Sequence, residues 1–459
     1  MNMDYGALLP EIVLLGGAIV ALLGGSFLPR PRQVLVTWFA IVVACLSAVT
    51  AALGTGPPTV FSDSYALDDA TATIRILVPF ATAVVMLIGR QESHGSARES
   101  ETASLLLLAA LGTIVLAGAN DLLIVATGFL LATVPLYALI GLSRSAAAAE
   151  ATMKTYLLGA AFGVVMLFGI AVLVGVAGGS TYPELQRELP HVPAAAVALG
   201  FVGVLAGLLF KAGAVPGHFW VPDAAEGAGL GVAAFITTVP KLGALVALAR
   251  LVDVMPKTVD APLLVGLLAA ASMTLGTLAA FWQRSAPRLL GWSTVGQVGF
   301  LLMPVAVIGV EPSARPALLM YLVFYAVTNL ALFAAIAALP NRTTIPAWRG
   351  AAKEHPAITG VMLVGLLSLV GTPPTAVFVG KLAVFTTTWQ GGMPWLVVIA
   401  AAVSATSLFY ALRWLSMAFQ PAETPRLRTA AVQMQAATAV ALGTLVIVAV
   451  VATPALLRL

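Results

Sequence analysis

Leu208-Leu209-Phe210-Lys211-Ala212-Gly213-Ala214-Val215-Pro216 decides how this chain is read. A lysine stands in an apolar run, with glycine two positions on and proline five on. Proline removes a backbone donor and weakens the turn before it, so a helix through this stretch is expected to break near Pro216. The pattern recurs far downstream in Gly371-Thr372-Pro373-Pro374-Thr375-Ala376-Val377-Phe378-Val379-Gly380-Lys381. Pro373 and Pro374 predict a second break, again within a few turns of a lysine.

The composition places both stretches in a membrane. Of 459 residues, 60% are hydrophobic and only 9% charged, and the mean hydropathy is +1.01. A soluble domain carries about 25% charged residues, so this chain has too few to cover a soluble surface. A bilayer-spanning helix needs about 20 mostly apolar residues, and roughly fourteen such stretches are present. They cover residues 8–28, 33–53, 74–89, 104–118, 121–142, 154–177, 194–213, 230–254, 261–282, 289–310, 316–339, 356–387, 395–419 and 431–457. Met1-Asn2-Met3-Asp4 lacks a positive region, and the apolar run after it is too long for a signal peptide, so it reads as a first span. The longest polar stretches, such as 178–193, leave no room for a nucleotide, flavin or haem domain. The one cysteine, Cys45, cannot build a thiolate metal site. His94, His191, His218 and His355 form no i,i+4 pair, so no metal site is expected.

Loop charges give an orientation. Odd-numbered loops hold Arg30, Arg32, Arg90, Arg98, Arg144, Arg284, Arg288, Arg342, Arg349, Lys353, Arg426 and Arg428. Even loops hold Arg187, Lys257 and Arg315. The positive-inside rule puts the odd loops in the cytoplasm and, with an even number of spans, both termini on the non-cytoplasmic side.

The charges inside the apolar runs carry the functional signal. A charge at the centre of a spanning helix costs about 2.5–3.5 kcal/mol on insertion scales and marks a site by default. Of six lysines, Lys257 and Lys353 lie in loops, while Lys154, Lys211, Lys241 and Lys381 lie in or at the edge of spans. Burial brings a lysine's ordinary pKa, about 10.4, toward neutrality, which suits the residue type to taking up and releasing a proton. Two broken helices in corresponding halves, each with a lysine, point to a transporter built from inverted repeats. Lys241 follows Pro240, and Lys154 shares a helix face with Glu150 four residues earlier, where it also has the reach to snorkel. The segment 218–227 carries His218, Asp223 and Glu226 and is expected as a polar hairpin dipping between the Lys211 and Lys241 helices, a proton entrance. Asp121 is a further acid near these spans, and Glu11 is expected to contact a neighbouring helix. Arg75, Arg250 and Arg413 read as interfacial anchors.

Phe210-Lys211, then Val215-Pro216-Gly217-His218-Phe219-Trp220-Val221-Pro222-Asp223 through Glu226-Gly227-Ala228, resembles the signature of the antiporter-like membrane subunits of respiratory complex I, the proton-translocating NADH–quinone oxidoreductase. Asn120-Asp121-Leu122-Leu123, Pro135-Leu136-Tyr137, Met153-Lys154, Arg288-Leu289-Leu290-Gly291-Trp292-Ser293 and Pro373-Pro374-Thr375 extend the likeness over nearly the whole chain, and a lysine as the second broken helix's charge favours the subunit N branch. The resemblance implies an all-α membrane fold of about 14 transmembrane helices, with two inverted five-helix repeats and two discontinuous helices. The implied divisions are an N-terminal three-helix segment over 1–103, repeats over 104–254 and 255–419, and a last helix over 420–459. It makes Lys211 the central proton carrier, Lys241 the connecting one, Lys381 the exit-side one and Lys154 an auxiliary. It implies no cofactor on this chain, with NADH, FMN, iron–sulfur clusters and quinone in other subunits. It also implies neighbouring antiporter-like and small helical subunits as partners, no nucleic acid, and a place in the bacterial inner membrane. The sequence departs from the family twice. Leu130 occupies the position of a glutamate that pairs with the central lysine, and Gln297 that of a histidine on the tenth helix. The first leaves Lys211 without its usual counter-charge. A cation/proton antiporter subunit, a proton-driven uptake system and a non-conducting structural paralogue remain as alternatives.

Overall fold

The computed structural model describes residues 4–54, 58–96, 98–421 and 433–456. Met1, Asn2 and Met3, the loop charges Arg426 and Arg428, and the ends of the expected last span, Ala431 and Leu457, lie outside the described residues. In chain order the helices are α1 (Leu9–Phe27), α2 (Val34–Leu53), α3 (Asp69–Ser93), α4 (Glu99–Gly118), α5 (Leu122–Gly141), α6 (Ala146–Ala177), α7 (Tyr182–Glu188), α8 (Ala194–Ala212) and α9 (Trp220–Gly227). Then follow α10 (Leu230–Asp253), α11 (Ala261–Ala280), α12 (Ala286–Ala306), α13 (Ala314–Ala338), α14 (Ala351–Glu354), α15 (Pro356–Val370), α16 (Ala376–Gln390), α17 (Pro394–Phe419) and α18 (Gln433–Leu456). A two-stranded hairpin, β1 (Thr59–Val60) and β2 (Tyr65–Ala66), precedes α3.

Local chemistry sets the helix ends. Asp121 caps α5 by accepting from Leu123 N at 2.6 Å, and Ser145 caps α6 by accepting from Ala148 N at 3.0 Å. Prolines open α11, α12, α15 and α17, where the missing N–H has no partner to lose.

Twelve helices among the described residues are long and apolar enough to cross a membrane, and 356–370 and 433–447 form shorter apolar helices. Those twelve differ in how much protein surrounds them. The spanning window of α10 is 100% buried, and those of α12 and α13 are 94% and 83% buried. The windows of α1, α2, α6 and α17 are only 28–39% buried, so their outer faces meet lipid or partner subunits. The lysine helix α10 is therefore the axis of the bundle.

Several boundaries differ from the sequence reading. α3 and α4 are full-length spans, because polar residues extend them beyond the apolar stretches at 74–89 and 104–118. α6 begins eight residues before Lys154, so that lysine lies inside the helix. Within 178–193, residues 182–188 form α7, stapled by the Thr181–Glu184 capping box. The segment 218–227 is not a hairpin. From Trp220 onward it is α9, the continuation of the broken helix, because the turn after Gly213 leaves an uninterrupted helix-forming run.

Both breaks fall where expected and have one design. Gly213 ends α8 in the left-handed region at φ 79°, and Gly371 ends α15 at φ 90°. Only glycine adopts that conformation without steric cost. Gly213 N donates to Leu209 O at 2.9 Å and Phe210 O at 3.1 Å, and Ala214 N returns to Leu209 O. Gly371 N donates to Leu367 O at 3.1 Å and Ser368 O at 2.8 Å, and Thr372 N returns to Leu367 O. Pro216 and Pro373-Pro374 follow and prevent either helix from resuming at once.

Candidate functional site

A buried amine must find acceptors or remain costly. Lys211, Lys241 and Lys381 are 1%, 0% and 3% exposed; the first two find acceptors near a proline inside a helix, and the third at the open end of α15. None of them meets a carboxylate among the described residues.

Lys241 shows the logic most plainly. Pro240, the residue before it, lacks the N–H that would bond Ile236 O, four residues back. Lys241 Nζ takes that carbonyl itself, at 2.9 Å. The indole of Trp220 on α9 lies 5.8 Å from the amine, and indole Nε1 donates to Phe210 O at 3.0 Å, tying α9 to the end of α8. The amine also borders the first break, since a Cβ at Gly213 would come within 3.6 Å of it.

Lys381 does the same at the second break. It stands on α16 and reaches back to the open end of α15, donating to Leu369 O at 3.0 Å and Val370 O at 2.9 Å. These are the carbonyls left free when the helix stops, at the negative end of its dipole. Ser404 Oγ lies 3.0 Å from the amine and donates to Val370 O at 2.7 Å. The ring of Phe300 is 4.1 Å from the amine, so here too the amine faces an aromatic ring.

Lys211 turns the other way, toward α5. It donates to Ala132 O at 2.5 Å and to Thr133 Oγ1 at 3.1 Å. Pro135, inside α5, perturbs the same turn. Leu130, where a counter-charge to Lys211 is expected, is 46% exposed on the outside of the chain. The acceptors of Lys211 are thus a carbonyl and a hydroxyl two and three residues further along α5 than Leu130.

Two buried polar clusters lie along α13, one ending a turn before Lys241 and the other reaching Lys381. Asn329 Nδ2 donates to Thr237 Oγ1 at 2.9 Å and Thr238 Oγ1 at 2.8 Å, one turn before Lys241. Tyr325 donates to Thr237 O at 2.6 Å and lies 2.9 Å from Thr294 Oγ1. Tyr321 donates to Gln297 Oε1 at 2.5 Å, and Gln297 Nε2 donates to Leu369 O at 2.9 Å. Leu369 O is also an acceptor of Lys381, so Gln297 and Lys381 share one carbonyl. All of these side chains are at most 3% exposed. Tyr321, Tyr325 and Asn329 escaped the sequence reading, although their i, i+4, i+8 spacing sets three polar groups on one face of an apolar helix.

The remaining candidates lie at the bundle's odd-loop end. Lys154 pairs with Glu150 at 2.5 Å and Asp223 at 2.7 Å, and its side chain is 44% exposed. Arg288 of α12 holds Asp223 at 2.6 Å and Glu226 at 2.8 Å, so this network ties α6, α9 and α12 together. His218 is 2% exposed and stacks near Phe219 and Trp292. Asp121 sits elsewhere, spent on the α5 cap and on Ser180 at 2.7 Å.

The arginine assignments need correction. Arg75 is buried and paired with Glu11 at 2.7 Å, joined by the Tyr65 hydroxyl, so Glu11 makes the expected contact to a neighbouring helix. Arg250 is buried on Asp68 at 2.6 Å and Ala117 O at 2.9 Å. Arg413 caps the carbonyls of Phe281 and Gln283. None of the three snorkels to a headgroup, because each finds protein acceptors distant in sequence.

Residues 119–409 match the family model described as "NADH:quinone oxidoreductase/Mrp antiporter, TM". The NADH-quinone oxidoreductase subunit N of Mycobacterium sp. (strain JLS) is 48% identical over 429 residues, 92% of this chain and 91% of that protein. NADH-quinone oxidoreductase subunit N 1 of Streptomyces griseus subsp. griseus is 50% identical over 427 residues, 92% of this chain and 90% of that one. Among solved structures, a chain of respiratory complex I from Thermus thermophilus with bound aureothin superimposes with a TM-score of 0.83 at 30% identity, covering 98% of this chain and 99% of the other.

Proposed function

The chain belongs to the subunit N family of NADH-quinone oxidoreductase, the antiporter-like membrane subunits of complex I, and on that premise we propose that it moves protons along its buried lysines. The observation that carries the proposal is the burial of three lysine amines against neutral acceptors, beside a helix proline for two of them and at an open helix end for the third. An amine held by carbonyls and hydroxyls, with no fixed carboxylate, can release its proton without leaving a buried anion behind. In this reading Lys211 is the central carrier, Lys241 connects it to the second half, and Lys381 stands on the exit side. Asn329 and Tyr325, both bonded to Thr237, and Tyr321, bonded to Gln297, line the path between the last two. His218, Asp223 and Glu226 form the entrance, Lys154 and Glu150 assist there, and Asp121 supports α5. The matching breaks at Gly213 and Gly371 support two inverted repeats, over 104–254 and 255–419.

The partners are other complex I membrane subunits. Quinone reduction, in subunits that carry FMN and iron–sulfur clusters, supplies the driving force. The chain is a multi-pass membrane protein; its family points to a bacterial inner membrane, and the loop charges favour both termini on the non-cytoplasmic side.

Leu130 favours a second reading, a structural paralogue that holds its neighbours without conducting. One experiment separates the two. Lys211→Ala, assembled into the whole complex and reconstituted in vesicles, is expected to keep NADH oxidation and lose protons pumped per NADH. Lys211→Arg is expected to fail likewise, since arginine stays charged at any working pH. Unchanged pumping in both variants refutes conduction through Lys211 and leaves the structural role.

A further inference from the structure

At the odd-loop end, the C-terminus of α3, the starts of α2, α4 and α10 and the end of α5 enclose an open cavity of about 330 Å³. The lysine axis does not use it. Met86, Leu106, Leu139 and Val232 give it apolar walls, and charge of both signs surrounds the rest.

On the acidic side lies Glu99, only 1% exposed. Thr37 Oγ1 donates to one of its oxygens at 3.0 Å and Gly95 N to the other at 3.3 Å, but no cation pairs with it among the described residues. A carboxylate buried this deeply without a cation is costly. Glu92, on the same cavity, accepts from Leu230 N at 2.9 Å and Gly231 N at 3.4 Å, capping the N-terminus of α10. On the basic side Arg98 and Arg144 line the cavity and are exposed, and neither guanidinium meets a carboxylate among the described residues. The cavity thus offers an unpaired buried acid, two unpaired arginines and an apolar wall.

We propose that this cavity binds the headgroup of a zwitterionic aminophospholipid, with the ammonium on Glu99 and the phosphate on Arg98 and Arg144. The chemistry selects among headgroups. An anionic lipid without an amine would leave Glu99 unpaired and face two acids. A quaternary ammonium has no N–H to donate to Glu99, so phosphatidylcholine fits less well than phosphatidylethanolamine. Inorganic phosphate would satisfy the arginines but neither the acid nor the apolar wall. The site lies at the cytoplasmic leaflet by the loop-charge rule, the level where basic residues between helices meet headgroups.

The test uses the intact complex, purified, delipidated and re-lipidated with dioleoyl phosphatidylethanolamine, phosphatidylcholine or phosphatidylglycerol, with retained lipid counted by native mass spectrometry. The wild type is expected to retain one phosphatidylethanolamine that the double variant Arg98→Gln/Arg144→Gln loses. Its preference for phosphatidylethanolamine over phosphatidylcholine should be about tenfold, the equivalent of one charged hydrogen bond. Glu99→Gln should erase that preference and still retain lipid. Equal retention of ethanolamine and choline lipids by the wild type would overturn the proposal, as would tighter retention of phosphatidylglycerol, or displacement by inorganic phosphate alone. Should Glu99→Gln fail to assemble, the exposed arginine pair decides alone, and unchanged retention in that variant overturns the site.

Discussion

Pro240→Ala separates stability from function. Alanine restores the N–H that proline lacks, and the nearest acceptor for it is Ile236 O, the carbonyl that now receives Lys241 Nζ at 2.9 Å. A helical N–H in the regular position competes directly with the lysine. A hydrogen bond from a charged donor is worth about 1.5–3 kcal/mol, so the amine's protonated state loses stabilisation of that order. At about 1.36 kcal/mol per tenfold, transfer through Lys241 should slow by roughly ten- to a hundredfold. The fold should move in the opposite direction, since proline in a helix interior costs about 3 kcal/mol relative to alanine. The expected result is a complex with an unchanged or raised unfolding temperature and NADH oxidation that pumps few protons. Proton uptake in vesicles, per NADH oxidised, gives the first quantity, and a thermal melt of the purified complex gives the second. Wild-type pumping in a well-folded Pro240→Ala complex would refute the idea that the proline exists to free a carbonyl for the lysine. Loss of both stability and pumping would show that Pro240 matters for shape alone.

Glu11→Leu should lower the unfolding temperature markedly, since it strands the buried Arg75 it holds at 2.7 Å, a loss of about 3–5 kcal/mol; complexes that assemble should pump normally per NADH, and a melt unchanged from wild type would show the pair contributes nothing. At the far end of α10, burial pushes the Asp68 carboxyl up, but the Arg250 guanidinium at 2.6 Å, with the Thr71 N–H and Arg315, outweighs it and holds the group below the usual carboxylate range. A depressed folded value contributes stability that is present above the unfolded value, about 3.9, and lost as pH falls through the folded one. Asp68→Asn should therefore flatten the acid limb of a stability–pH curve below about pH 4 and lower stability at neutral pH, and an acid limb identical to wild type would exclude Asp68 as its source.

The sequence by itself determined the class, most of the run of helices, the three buried lysines and the two places where helices break. These are local matters. Twenty apolar residues need a bilayer wherever the chain goes, and Gly213, Pro216, Gly371, Pro373 and Pro374 restrict their own backbone without help from a neighbour. The error at 218–227 was also local, since polar residues after a break read as a loop although a helix resumes at Trp220. What each charge touches was decided only by tertiary structure. Arg75 meets Glu11 across 64 residues, and Arg250 meets Asp68 across 182. Nothing near either arginine in sequence distinguishes such a buried pair from an interfacial anchor. Lys241 is the instructive exception. Its acceptor is five residues away on its own helix, whereas the partners of Lys211 and the Leu369 carbonyl that Gln297 and Lys381 share exist only once α5, α8, α12, α15 and α16 have packed. A lysine's own sequence says that burying it is expensive, but only the fold brings the carbonyls that make its burial stable.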